Sequence, residues 1–129
     1  MSFQKLVSSA KFKLLVFSMP NLNTTAKFAI GQVVKHRKHD FRGIIYDVDP
    51  TYANSDEWYQ AIPESIRPSK DQPYYHLLAE GEEGAYEAYV SEQNLQIDIG
   101  QTPVCHPAIK DMFIHDSKGN YRLKAQKYQ

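Results

Sequence analysis

The sequence predicts a mainly β fold, a small antiparallel barrel or roll of about five short strands with a short helical insertion. Short segments of alternating or continuous apolar residues recur through the middle of the chain, and turn residues separate them. The length of 129 residues suits one domain with its own core. Barrel-like closure is favoured because it removes most unpaired strand edges.

The first two strands and the loop between them occupy residues 28–50. Polar residues flank Val33 and Val34, as in a half-buried strand, whereas residues 44–48 are mostly β-branched or aromatic, as in a buried one. Residues 38–41 lie between them, a length typical of a hairpin loop. The region is therefore interpreted as a strand, a loop and a strand.

Glycine and proline mark where this hairpin bends and ends. Gly31 predicts a bend or a close backbone approach before the first strand, and Gly43 predicts a bulge in the second. Pro50 ends the second strand because proline has no N–H to donate to the ladder.

Residues 51–71 predict an ordered insertion. Asn54 and Ser55 are candidate N-caps of a short helix, and acidic residues occupy its first turn, where they favour the helix dipole. Four side chains are too apolar for a free loop and are expected over one end of the sheet: Tyr52, Trp58, Tyr59 and Ile66.

A second hairpin and a last strand follow. Residues 73–80 and 85–90 are predicted strands around a turn at residues 81–84, with a glycine at each end. Residues 91–95 suit one short helical turn, and the alternation over residues 95–99 predicts the last strand. Residues 103–113 are ambiguous, and residues 121–124 form an edge strand or stay loose.

Three regions result: an N-terminal extension at residues 1–25, a β-barrel domain at residues 26–108 and a C-terminal tail at residues 109–129. Apolar residues at helical spacing with three lysines suit a short basic amphipathic helix. Three readings of the extension remain: a presequence, a membrane-surface helix, or a disordered or accidental segment before a start at Met19. One cysteine allows no internal disulfide, which favours a reducing, cytoplasmic location. No apolar run approaches the roughly 20 residues that span a bilayer, so no membrane partner is expected.

The charges are segregated along the chain although they cancel in total. Residues 1–42 carry a net charge of +7, residues 43–100 carry −10 and residues 101–129 carry +3. A protein that holds DNA through phosphates needs a basic face. Any nucleic-acid contact would therefore use the first hairpin and the tail, and the acidic middle would remain for a protein partner.

The first hairpin contains the cation-rich stretch of the predicted domain. Basic side chains there suit a phosphate backbone, and Phe41 or Tyr46 could contact an adenine methyl group in the major groove. The alternative is a solvated hairpin tip balanced by the acidic middle. The candidate DNA-binding residues are Lys35, His36, Arg37, Lys38, His39 and Arg42.

Nine tyrosines exceed what a small core needs, and tyrosine is enriched at protein interfaces. The alternative is that their hydroxyls line the barrel rim and bind backbone groups. Self-association through an exposed aromatic face is a third reading. The candidate protein-partner residues are Tyr74, Tyr75, Tyr86 and Tyr89.

No residue pattern predicts catalysis, a metal or a cofactor. Asp47 and Asp49 share a strand face, but a carboxylate before Pro50 suits a strand end. His76 lies among apolar and aromatic residues, as a packed core histidine would. Cys105 and His106 lack the further ligands of a zinc site, and Ser91 lacks the glycines of a nucleophile elbow.

Four blocks of sequence resemble, in order, those of the YccV-like, or hemimethylated-DNA-binding, domain family. They are FAIGQVVKH at residues 28–36, RGIIYDVDPTY at 42–52, PYYHLL at 73–78 and AYVSEQNL at 88–95. The resemblance covers about residues 26–108, and the insertion resembles the longer version of some bacterial members. It implies a small antiparallel SH3-like barrel without catalytic activity or cofactor.

The resemblance also implies a function. The family includes the bacterial heat-shock protein HspQ, whose relatives are associated with hemimethylated DNA, with turnover of the replication initiator and with the Lon protease. Related domains occur in chloroplast protease adaptors and in an F-box protein. We therefore expect a non-enzymatic, HspQ-like accessory factor of ATP-dependent proteolysis in the stress response, whose partners are the protease or its substrates. The alternative is a module selective for hemimethylated DNA.

Overall fold

The computed structural model describes residues 25–100 and 102–124. Its five-stranded antiparallel sheet has the order β4-β3-β2-β1-β5, and β6 and β7 form a separate antiparallel pair. The strands are β1 (Val33–His36), β2 (Phe41–Asp49), β3 (Tyr74–Gly81), β4 (Gly84–Ser91), β5 (Leu95–Ile97), β6 (Phe113–His115) and β7 (Tyr121–Leu123). The mainly β class and the five antiparallel strands are confirmed. The sheet is barrel-like but not closed, since β4 and β5 remain its two edges.

The helical insertion is also confirmed. Helix α1 (Asp56–Gln60) is capped by Ser55, whose Oγ accepts the backbone N–H of Trp58 at 3.0 Å. A 3-10 turn follows at Glu64–Ile66. Among the described residues, the remaining helical pieces are a 3-10 turn at Glu92–Asn94 and α2 (Ile109–Met112).

The insertion covers one end of the sheet with aromatic rings. Tyr52 packs edge-on against Tyr74, with ring centroids 5.2 Å apart, and Trp58 packs against Tyr89 at 5.5 Å. The expectation for Ile66 is wrong, because its side chain is 48% exposed. The aromatic rings of Tyr52 and Trp58 supply apolar contacts between this segment and the sheet.

The predicted bulge lies elsewhere in β2. The pairing with β3 shifts register between Ile45 and Asp47 rather than at Gly43. A Cβ on Gly43 would lie 2.6 Å from the carbonyl oxygen of Leu78, so this glycine serves the close approach of two strands. Gly31 has the expected special backbone, with φ +94°, and lies against the carbonyl of Tyr121.

Alternation along the strands gives the sheet two buried faces. The inner face carries the main core, to which β1 to β5 all contribute. On the outer face, Ile44 and Leu78 pack with Val104 and Phe113, which come after the sheet in sequence. Residues 109–123, placed in a C-terminal tail by the sequence, thus form α2, β6 and β7 and help to cover the sheet.

Strand β5 is shorter than the alternation predicts. It ends at Ile97, and Ile99 is 85% exposed. The backbone N–H of Asp98 still donates to the carbonyl of Val33, but residues 98–100 belong to no strand. Strand β5 runs antiparallel to β1, so Ile99 and Gly100 lie beyond Val33, where β1 begins, and have no strand to pair with among the described residues.

The expectations for residues 1–24 lie outside the described residues. Within the part of the chain that is described, no helix is long and apolar enough to cross a membrane.

Candidate nucleic-acid interface

The tip of the first hairpin, residues 37–40, is held by a buried histidine. His36 is 6% exposed, and its Nδ1 accepts the backbone N–H groups of Lys38 and His39, each at 3.0 Å. Its ring packs against His39 and Phe41, with centroids 4.7 Å and 5.1 Å away. Burial, with the nearby charges of His39 and Lys38, lowers the pKa of His36 to about 4. His36 is therefore neutral at pH 7 and shapes the tip.

Arg42 is tied into the scaffold by its whole guanidinium group. Its Nε lies 2.7 Å from Glu80 Oε2 and its Nη1 lies 2.6 Å from Asp98 Oδ2. Its Nη2 donates to the carbonyl oxygens of Thr102 and Pro103, each at 2.7 Å. Burial alone would raise the pKa of Asp98, but the hydrogen bond and the charge of Arg42 outweigh it and lower that pKa.

Three of the six predicted DNA-binding residues remain as accessible bases. Lys35, Arg37 and Lys38 are exposed, and none of them forms a salt bridge within residues 25–100 and 102–124. His36 and Arg42 cannot bind a phosphate without giving up the contacts that build the hairpin. The sequence could not separate these groups, because all six residues are polar and lie in one short stretch.

An open cleft of about 700 Å³ lies beside the tip. Lys35, Arg37 and His39 line it from the first hairpin, and Gly81 and Glu82 line it from the turn between β3 and β4. Carboxylates outnumber the lysines and arginines along its walls, with Asp40, Glu80, Glu82 and Asp98 against Lys35, Arg37 and Arg42. The interface is thus a basic tip beside a cleft of mixed charge.

The two aromatic residues expected to contact an adenine methyl group lie elsewhere. Phe41 is 7% exposed and packs against Tyr86, with ring centroids 5.8 Å apart. Tyr46 lies on the outer face of β2, where its hydroxyl donates to Glu87 at 2.9 Å. Neither ring extends from the tip, because β2 begins at Phe41, inside the predicted loop.

Three of the four candidate partner tyrosines are core residues. Tyr74, Tyr75 and Tyr89 are at most 1% exposed, and burial raises the pKa of each hydroxyl. Tyr74 donates to the carbonyl of Ser69, and Tyr75 donates to Glu92. In this conformation they offer no surface to a partner, and Tyr86 alone of the four is half-buried.

A buried polar cluster at the other end of the sheet was missed by sequence reasoning. Asp49 Oδ2 accepts the hydroxyl of Tyr89 at 2.7 Å and lies 3.0 Å from Nε2 of His76. The Tyr89 hydroxyl in turn accepts the N–H of Ala53, which begins the insertion. Asp49, expected only to end a strand, thus ties the insertion to the sheet. No sequence signal marks this, since its partners are 27 and 40 residues away.

The other polar candidates have local roles. Asp47 Oδ1 accepts the N–H of Val48, and Ser91 is buried with its Oγ accepting from Asn94. His106 Nδ1 accepts the N–H of Ala108, while Cys105 is exposed. Across the described ranges, no group of three or more His, Cys, Asp or Glu side chains is placed to hold a metal ion.

Comparison with known proteins gives relatives over most of the chain. F-box only protein 21 of Mus musculus is 29% identical over 100 residues, which cover 77% of this chain and 16% of that protein. The same protein of Homo sapiens is 28% identical over 100 residues, covering 77% and 15%. The chain thus spans only about a sixth of the length of these relatives.

A family model matches residues 26–120, so the match includes Thr102 and Pro103, whose carbonyl groups Arg42 binds. Its description is hemimethylated DNA-binding protein, YccV-like. The chain belongs to the YccV-like family of hemimethylated-DNA-binding proteins.

Proposed function

We propose that this protein is a non-enzymatic DNA-binding module that selects hemimethylated duplexes and contacts them with the tip of its first hairpin. The proposal rests on three neighbouring exposed bases: Arg37 and Lys38 lie in the tip that His36 holds in place, and Lys35 lies beside it in β1. The family of the chain supports the choice of ligand.

Three bases set the expected strength of the electrostatic contact. Each neutralised phosphate contributes about −0.9 to the slope of log affinity against log salt, so the three bases account for a slope of roughly −3. A slope of roughly −3 is a weak salt dependence, since DNA-binding proteins that make six to ten phosphate contacts show slopes of roughly −5 to −9. Recognition of the methylation state therefore has to come from groups that reach the base edges.

The test is fluorescence anisotropy of GATC duplexes in unmethylated, hemimethylated and fully methylated forms, at two salt concentrations. The wild type is expected to bind the hemimethylated duplex most tightly at both. A variant with Lys35, Arg37 and Lys38 changed to glutamine is expected to lose most binding and to flatten the salt slope by about 3.

A matched variant carries the same change in net charge in the C-terminal tail, the other basic region of the sequence, and so separates the tail from the hairpin. Lys110, Lys118 and Arg122 are exposed and line no part of the cleft. Their replacement by glutamine should leave the preference for hemimethylated DNA unchanged. If wild-type binding is blind to methylation and disappears at physiological salt, the proposal is wrong.

A second candidate function is that of a cytoplasmic accessory factor for a Lon-type protease that promotes turnover of the replication initiator. It is supported by the acidic middle of the chain, which places exposed carboxylates on the insertion. They are Asp56, Glu57, Glu64 and Asp71. The burial of Tyr74, Tyr75 and Tyr89 removes the aromatic-surface argument and, with it, the reason to expect self-association through those rings.

The second candidate predicts faster degradation of the initiator by purified protease and ATP when the protein is added. Asp56→Asn combined with Glu57→Gln should abolish the stimulation if the insertion is the contact surface. An unchanged degradation rate on adding the wild-type protein would exclude this function for the pair of proteins tested.

A further inference from the structure

Two hairpin turns lie side by side at one end of the sheet. Phe41, where β2 begins, pairs directly with Gly81, where β3 ends. A Cβ on Gly81 would lie 3.4 Å from the Cβ of Phe41, so the two strand ends are in van der Waals contact. The turn between β3 and β4, residues 82–83, therefore projects next to the basic tip.

The two turns carry opposite charges. Glu82 and Glu83 are exposed, and Glu82 lines the same cleft as Lys35 and Arg37. With Asp40, the three carboxylates offset the three exposed bases of the first hairpin. A duplex that rests its phosphates on the tip brings them close to these carboxylates.

The fold does not need the two glutamates. Neither side chain forms a salt bridge within the described residues. The backbone of Gly84 sets the turn. A Cβ there would meet nothing within 4 Å, so the φ of +110°, and not a close contact, is the reason for glycine at this position. Negative charge is the property of Glu82 and Glu83 that uncharged polar residues at the same two positions would lack.

We propose that Glu82 and Glu83 are specificity-determining residues that weaken DNA binding by phosphate contact alone. The inference rests on the proposed function. Like charges within about 8 Å, the screening length at physiological salt, repel each other appreciably. A penalty that is equal for every duplex would leave selectivity unchanged. This one is largest for a duplex that is held by phosphate contacts alone, because base contacts fix where a hemimethylated duplex sits.

The test is a Glu82→Gln, Glu83→Gln double variant in the same anisotropy assay. Removing the two charges should tighten binding to unmethylated duplex roughly threefold at about 50 mM salt, where screening is weaker than at physiological salt. The gain should be smaller for hemimethylated duplex, because base contacts fix where it sits, and an equal gain for both duplexes would overturn the inference. The ratio of the two affinities therefore falls, and the gain disappears at high salt.

The control is a Glu57→Gln, Glu64→Gln double variant. Both residues are exposed on the insertion, at the opposite end of the sheet, and the change in net charge is the same. An equal gain in the control would mean that net charge alone acts, and would overturn the inference. Unchanged affinities in the Glu82, Glu83 variant, with wild-type DNA binding intact, would also overturn it. Failure of the wild type to bind DNA would instead remove the proposed function itself.

Discussion

Arg42 Nε lies 2.7 Å from Glu80 Oε2, and this pair joins the sheet to the chain that follows it. Arg42 Nη2 donates to the carbonyl of Pro103, and Glu80 Oε1 accepts the N–H of Cys105, each at 2.7 Å. The pair thus satisfies backbone groups of a segment that has no strand partner of its own. It holds Val104 against the outer face of the sheet.

Arg42→Lys is expected to lower the free energy of unfolding by about 2 kcal/mol, because a single ammonium cannot reach carboxylates and carbonyls in four directions. Urea unfolding followed by the fluorescence of Trp58 measures the change. Arg37→Lys, at an exposed position without a salt bridge among the described residues, should change it by less than about 0.5 kcal/mol. Equal stability of the two variants would contradict the clamp.

The depressed pKa of His36 predicts how stability depends on pH. Its folded-state pKa is about 4 and its ordinary value is 6.5, so the unfolded chain takes up the proton first. The contribution of neutral His36 is therefore complete above pH 6.5 and is lost as the pH falls through 4. Between these values the free energy of unfolding should decrease by about 2 kcal/mol from this group.

The measurement is urea unfolding at several pH values between 4 and 7. His36→Asn should flatten this part of the profile, because the titrating group is gone. His115→Asn, at an exposed position, serves as the control and should retain the wild-type decrease. If the profiles of the His36 variant and the wild type run parallel, His36 does not cause the pH dependence.

Tyr89→Phe tests the buried cluster at the other end of the sheet. The change removes one donor to Asp49 and the acceptor of the Ala53 N–H, both in a buried environment. A loss of about 1 to 2 kcal/mol is expected in thermal or urea unfolding. Tyr121→Phe, at a half-buried residue whose hydroxyl forms no hydrogen bond within the described residues, should cost less than half as much.

Gly31→Ala should destabilise the protein far more than Gly119→Ala. Both glycines have positive φ, at +94° and +87°, so alanine costs about 1 kcal/mol at either site. At Gly31 the new Cβ also clashes with the carbonyl oxygen of Tyr121, whereas nothing lies within 4 Å at Gly119. Unfolding should show an additional loss of about 2 kcal/mol at Gly31. Similar melting temperatures for the two variants would argue against a close contact between Gly31 and β7.

Much of the fold was predictable because its signals are local. Ser55 caps α1 through an atom three residues away, and Gly81 and Gly84 delimit a turn of two residues. The bulge is predicted at the wrong residue because glycine is needed at position 43 for the close approach of Leu78, a residue of another strand. The packing of residues 109–123 against the sheet could not be predicted either, since Phe113 is buried by Ile44 and Leu78, which lie on distant strands.

By itself, the sequence determined the class of the fold, the order of its strands along the chain and the position of the basic hairpin, because alternation, turn residues and charge are properties of neighbouring residues. The tertiary structure alone decided which bases of that hairpin are available. Arg37 and Arg42 look equivalent in the sequence, but sheet register and chain path bring Glu80 and Asp98 to Arg42 from 38 and 56 residues away. Pairing across a sheet assigns partners by register, and register is not a property of any one segment.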